Sequence, residues 1–193
     1  ACQRRKVPRP IRSGNPGTVS DARRPWECAS IDLVEAGSTS ADQYRYILTI
    51  LCTFTRYAIA VPLRSKRAEE VANALFTHLF AIHGRPRMIR SDEGKEFVNG
   101  GLTRLYKRWK IQPITTGGWR PWSNPVERFH RYMNSSMTVL STAFGEGWDR
   151  YLPATVFSYN ASVCRSTGHS PYYLLYGREP TLLEDVAMAH PHE

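Results

Sequence analysis

The sequence predicts an α/β domain with a mixed five-stranded sheet flanked by helices. Three observations lead to it. Residues 26–63 hold three successive runs rich in Ile, Val, Tyr, Thr and Phe with short turns between them. Beyond residue 63, helix-period and strand-like segments alternate. The longest apolar runs, 47–52 and 58–63, fall far short of the ~20 residues of a membrane span. A chain of 193 residues accommodates one domain of ~150 residues with tails. Its 41% hydrophobic and 11% aromatic content excludes a disordered chain.

The first strand is predicted over Trp26 to Val34, the second over Tyr44 to Thr53 and the third over Arg56 to Leu63, the last two joined as a hairpin at Thr53-Phe54-Thr55. A helix follows from Lys66 to His83. Val71, Ala72, Leu75, Leu79 and Ile82 form its apolar stripe, Glu69 and Glu70 lie in its first turns, and Gly84 and Pro86 stop it. A fourth strand, Arg87 to Ser91, ends at Asp92, and a helix over 99–110 leads to a fifth strand, Ile111 to Thr115. The loop Gly117-Gly118-Trp119-Arg120-Pro121-Trp122 then enters a marked helix start, with Asn124 as N-cap, Pro125 at N1 and Glu127 at the capping-box position N3. Val126, Phe129, Met133, Met137, Leu140 and Phe144 make that helix's buried stripe, and Gly145 and Gly147 end it. A helix over Trp148 to Val163, interrupted near Pro153, and a short one from Ser170-Pro171 to Gly177 complete the chain. This order is that of a ribonuclease-H-like fold, though it suits several α/β folds.

The charge points to a polyanionic partner. Lys and Arg number 26 against 17 Asp and Glu, a net +9, with a pI near 9.7. Residues 1–25 hold seven basic groups against Asp21 alone, and 85–131 hold eleven against four acids. The first segment, with four prolines and no apolar period, reads as a basic linker. Four cysteines (2, 28, 52 and 164) show no CxxC and no histidine at metal spacing, so no complete zinc site is present; Cys28 and Cys52 sit in apolar runs, as buried free thiols do. The six histidines are scattered and read as surface or core residues.

Three acids stand out. Asp32 interrupts the apolar run Cys28-Ala29-Ser30-Ile31-Asp32-Leu33-Val34, Asp92 ends the fourth strand, and Glu127 lies in a first helical turn. Each has a bland explanation: a strand register that turns Asp32 outward, an Asp at a strand-to-loop turn, a capping-box Glu. Together they occupy three places that bring carboxylates to one side of a sheet edge, where their repulsion calls for divalent cations. Hard oxygen ligands suit Mg²⁺ or Mn²⁺, and two such ions about 3.5–4 Å apart serve in-line displacement at phosphorus.

Asp32, Ser91-Asp92-Glu93-Gly94-Lys95-Glu96-Phe97 and Trp122-Ser123-Asn124-Pro125-Val126-Glu127-Arg128 resemble the Asp, Asp and Glu triad of integrases from retroviruses and LTR retrotransposons, with the last two acids 35 positions apart. Tyr46-Ile47-Leu48-Thr49-Ile50, Phe54-Thr55-Arg56 and Ala60-Val61-Pro62-Leu63 extend the likeness. Tyr159-Asn160, Ser166-Thr167-Gly168-His169-Ser170-Pro171 and Leu175-Tyr176-Gly177-Arg178-Glu179-Pro180 resemble gypsy-type elements. The sequence departs from many relatives in a loop shorter by one residue before Glu127, in Cys52 where an Asp is common, and in Trp119-Arg120-Pro121-Trp122.

The resemblance implies a catalytic core over 26–165 with a C-terminal helix and extension over 166–193. It makes 1–25 the tail of a missing zinc-binding domain that ended at Cys2, and the chain a fragment of something longer. It implies a metal-dependent polynucleotidyl transferase that processes element 3′ ends and joins them to target DNA. Asp32, Asp92 and Glu127 would be catalytic and hold two Mg²⁺ or Mn²⁺ ions. Lys95, Trp119, Arg120, Trp122, Arg128 and Arg131 would contact DNA. The implied partners are element and target DNA and further copies of the chain as a homodimer or higher oligomer, without a membrane. The implied places are the nucleus and cytoplasmic virus-like particles. Two other readings stay open: a domesticated or inactive DNA-binding or assembly module, and another nuclease of the same fold.

Overall fold

The computed structural model describes residues 22–91, 100–115, 125–144 and 147–182. Its strands are β1 (Cys28–Glu35), β2 (Tyr46–Cys52), β3 (Ala58–Leu63), β4 (Met88–Ser91) and β5 (Gln112–Thr115). They form one sheet in the order β3-β2-β1-β4-β5. β1, β2 and β3 pair antiparallel, whereas β4 runs parallel to β1 and β5 parallel to β4. The two edge strands each carry a proline, Pro62 and Pro113, which removes a donor from the ladder and blunts the edge.

The helices are α1 (Ala68–Leu75, continued by a π-turn over Phe76–Phe80 and a last turn over Ala81–His83), α2 (Gly100–Arg108), α3 (Pro125–Phe144), α4 (Trp148–Ala161) and α5 (Pro171–Tyr176). Alternation along the strands divides the core in two. Ala29, Ile31, Leu48, Ile50 and Ile89 face α1 and α2, against Val71, Leu75, Leu79, Leu102 and Tyr106. Ile47, Leu51 and Ala58 face α3 and α4, against Val126, Phe129, Met133, Trp148 and Leu152. Phe129 is wholly buried there, and its truncation to alanine would cost about 3–5 kcal/mol.

Two expectations are corrected. Ile82 was placed in the stripe of α1, yet it is 65% exposed. The π-turn at Phe76–Phe80 inserts an extra residue into the helical period, so the face rotates after Leu79 and carries Ile82 into solvent. Pro153 does not interrupt α4, which runs unbroken from Trp148 to Ala161. The proline stands early in the helix, and burial of Trp148 and Leu152 before it and Thr155 and Asn160 after it holds the helix on the sheet. The last helix follows its signals: the Ser170 hydroxyl accepts from Tyr173 N at 2.9 Å, and Gly177 ends it in the left-handed region at φ 71°. Cys28 and Cys52 are buried free thiols, as the sequence suggests. The predicted linker up to residue 21, the N-cap Asn124 and the loop of 117–122 lie outside the described residues.

Candidate active site on the central strand

Asp32 lies on β1, the middle strand, opposite Thr49 of β2. Its neighbours Ile31 and Ala29 point to the α1 side, so Asp32 faces α3. The carboxylate is 28% exposed, and Oδ1 accepts a hydrogen bond from Leu33 N at 2.9 Å. Parallel pairing of Ser30 with Arg90 brings β4 alongside as far as Ser91, the residue before Asp92. Asp92 itself, Lys95, Trp119, Arg120 and Trp122 lie outside the described residues. Glu127, Arg128 and Arg131 stand on α3 and are exposed, in the first turns of the helix that covers Asp32.

One residue of this site escaped sequence reasoning. His130, one helical turn after Glu127, approaches Asp32 with Nδ1 3.6 Å from Oδ2, while its Nε2 is 2.8 Å from the Thr49 hydroxyl. That hydroxyl donates its single proton to the main-chain oxygen of Asp32 at 3.1 Å. The Thr49 hydroxyl thus lies between the Asp32 carbonyl and the His130 ring, and the ring's tautomer sets which partner donates across the Thr49–His130 contact. Burial holds the imidazole down to about 4, so the ring is neutral at physiological pH. The contact between His130 and Asp32 is thus one between a neutral imidazole and a carboxylate rather than an ion pair. The usable signal was spacing: His130 follows Glu127 by three positions, on the same helical face.

This arrangement fits a divalent cation. A carboxylate oxygen of Asp32 and a nitrogen of the neutral His130 ring lie 3.6 Å apart, and both are atom types that divalent cations take as ligands. Among the described residues no group of three or more His, Cys, Asp or Glu converges as a metal site. An open groove of about 1050 Å³ lies farther along α3, between Asn134, Met137 and Thr138 and the segment Glu35 to Ala41. Of the described acids, neither Asp32 nor Glu127 lines it.

Comparison with known proteins decides the family. Residues 22–121, just over half of the chain, match the integrase core domain. The chain belongs to the integrase core family. It is 27% identical over 175 residues to gypsy retrotransposon integrase-like protein 1 of Rattus norvegicus, covering 91% of this chain and 33% of that protein. It is 32% identical over 184 residues to the Pol polyprotein of feline endogenous virus ECE1, covering 91% of this chain and 17% of that one. The chain thus spans a third or less of the length of these relatives. The catalytic core domain of HTLV-2 integrase in complex with magnesium, in its trimeric form, superposes with a TM-score of 0.65 at 15% identity, over 80% of this chain and 99% of that one. That likeness shows the fold, the ribonuclease-H-like fold of retroviral integrase cores, in agreement with the order of elements.

Proposed function

We propose that this integrase core cuts retroelement DNA 3′ ends and joins them to target DNA. The observation that carries the reading is the Asp32 carboxylate, held on the central strand beneath His130, one helical turn from Glu127. Asp32, Asp92 and Glu127 would hold Mg²⁺ or Mn²⁺, which when bound lowers the pKa of the attacking oxygen and stabilises the leaving one. In the first step a water oxygen bonds to phosphorus as the P–O3′ bond breaks, leaving a 3′-hydroxyl on the element end. In the second, that 3′ oxygen attacks a target phosphodiester and releases the target's 3′ oxygen.

The chain's own residues orient these events. Leu33 N fixes one oxygen of Asp32 and leaves the other toward α3, and the Thr49–His130 contact fixes the helix against the strand. Lys95, Trp119, Arg120, Trp122, Arg128 and Arg131 would hold DNA, the arginines and Lys95 on phosphates and the tryptophans on frayed bases.

The deciding experiment is strand transfer of a labelled element-end oligonucleotide with Mg²⁺ or Mn²⁺, in a protein carrying this core with its flanking domains. Joined product that disappears in Asp32→Asn and Asp92→Asn is expected. DNA binding without product in the unsubstituted protein would instead identify a DNA-binding module.

A further inference from the structure

Helix α3 brings more than Glu127 to the Asp32 end of the sheet. In Glu127-Arg128-Phe129-His130 an acid and an imidazole stand three positions apart, on one helical face. Glu-x-x-His pairs of this spacing supply ligands to di-iron and di-manganese centres in helical bundles. Here the imidazole is set in rigid structure. Val126, Phe129 and Met133 of α3 are wholly buried and pack with Ile47 and Leu51 of the sheet. Thr49, fully buried on β2, is the register partner of Asp32.

The two ring nitrogens of His130 make contacts of different kinds. Nε2 lies 2.8 Å from the Thr49 hydroxyl, a hydrogen bond. Nδ1 lies 3.6 Å from Oδ2 of Asp32, which is too long for one. Two ligands of one ion at about 2.1 Å stand roughly 3.0 to 3.4 Å apart at octahedral to tetrahedral angles. The separation found is slightly wider, and a small rotation of the carboxylate closes it. Both side chains are partly open, His130 at 16% and Asp32 at 28% exposure, so an ion can enter and water can complete its shell.

We propose that His130 Nδ1 is a nitrogen ligand of the cation held by Asp32, with Thr49 orienting the ring, and that the site takes a transition-series ion such as Mn²⁺ or Co²⁺ in preference to Mg²⁺. His130 serves in this way only if Asp32 is a metal ligand, as proposed above. A ring bound through Nδ1 carries its proton on Nε2, where the Thr49 oxygen accepts it while the Thr49 proton goes to the Asp32 carbonyl at 3.1 Å. Ligating histidines are commonly fixed by a partner of this kind on the other nitrogen. Mg²⁺ favours an oxygen shell and keeps its waters, whereas imidazole binds better to the transition-series ions. His130 thus adds to the acids a ligand that selects the metal.

The test uses the full 193-residue chain without DNA at neutral pH, with Mn²⁺ alone as the probe. Electron spin-echo modulation of the bound ion should show a nitrogen coupling that changes when histidine is labelled with ¹⁵N. His130→Asn and His130→Gln should abolish it. The ratio of Mn²⁺ to Mg²⁺ affinity, measured by competition, should fall about tenfold in both variants. Thr49→Val should weaken Mn²⁺ binding by about the same factor and keep the coupling; unchanged binding there overturns the orienting role. Circular dichroism checks each fold, and if a His130 variant unfolds, the labelled unsubstituted chain decides, since His130 is the histidine beside Asp32. Mn²⁺ that binds without nitrogen coupling and is lost in Asp32→Asn overturns the ligand and leaves Asp32 as a metal residue. A coupling that survives in His130→Gln overturns it too. Absence of Mn²⁺ binding, or binding unmoved by Asp32→Asn, overturns both assignments. A chain that shows the coupling yet joins no DNA ends in strand transfer keeps the ligand and loses the proposed activity.

Discussion

His130 turns Nδ1 toward Oδ2 of Asp32 at 3.6 Å, and what holds it there is the Thr49 hydroxyl on the far side of the ring. The helix is thereby tied to the strand through an uncharged imidazole. Protonating that ring would give Asp32 an internal counter-ion and diminish its attraction for a metal, so the neutral state is the one suited to binding a cation.

This neutral ring has a stability consequence with a definite sign. The folded-state pKa of His130 is depressed to about 4 from 6.5. The unfolded chain therefore binds more protons between those values, and stability rises with pH through that window. The contribution is fully present above pH 6.5 and is lost as pH falls toward 4, by about 3 kcal/mol. Urea unfolding between pH 7 and pH 4 should show this loss, and His130→Asn should remove most of the difference. Parallel pH profiles for the two proteins would show that another group titrates.

Glu127 separates catalysis from capping. It is exposed on the first turn of α3, and Gln serves as well as Glu at the third position of a capping box. Glu127→Gln should thus keep the thermal midpoint, with a stability change within about 0.5 kcal/mol, and lose strand transfer by at least a hundredfold. Retained product together with a lowered midpoint would mean that the carboxylate only caps.

Asn160 is the polar residue on which the α4 side of the domain depends. Its amide satisfies both main-chain groups of Ala58 in a buried setting. Asn160→Ala leaves a buried N–H and a buried carbonyl unpaired, which costs about 2–4 kcal/mol. Chemical denaturation should show that loss, while Asn134→Ala, at an exposed position on α3, should change little.

What was legible in the sequence followed from period and punctuation. Alternation in β2, where Ile47 and Leu51 face one layer and Leu48 and Ile50 the other, was readable because both faces are buried and nothing local competes. Ser170-Pro171 and Gly177 marked the last helix because caps act within a few residues. The π-turn at 76–80 left no sign, since Phe-Thr-His-Leu-Phe is an ordinary helical string and packing sets the extra residue. His130 was missed for a related reason. Its partners Asp32 and Thr49 are remote in sequence and meet it only through the pairing of β1 with β2 under α3. The aromatic dock of α5, Tyr176 against Tyr57 at 5.7 Å, is equally a product of tertiary placement.

Self-association is the last expected property, and exposed apolar side chains carry it. Phe157 on α4 is 42% exposed and Val163 just beyond it 66%, while Phe76 at the π-turn is 52% exposed beside Trp109 at the end of α2. The two groups lie on opposite faces of the sheet, Phe157 and Val163 on the α3–α4 side and Phe76 and Trp109 on the α1–α2 side, so each is a separate interaction surface. Sedimentation at roughly tens of micromolar protein should therefore give a homodimer that Phe157→Glu or Phe76→Glu, according to which face forms the contact, converts to monomer, since a buried unpaired carboxylate at an interface costs several kcal/mol. Because DNA affinity arises from separate charges, either monomeric variant should bind DNA with the same salt slope per chain. A monomer in the unsubstituted protein, or a dimer that persists in both variants, would place these side chains outside any interface.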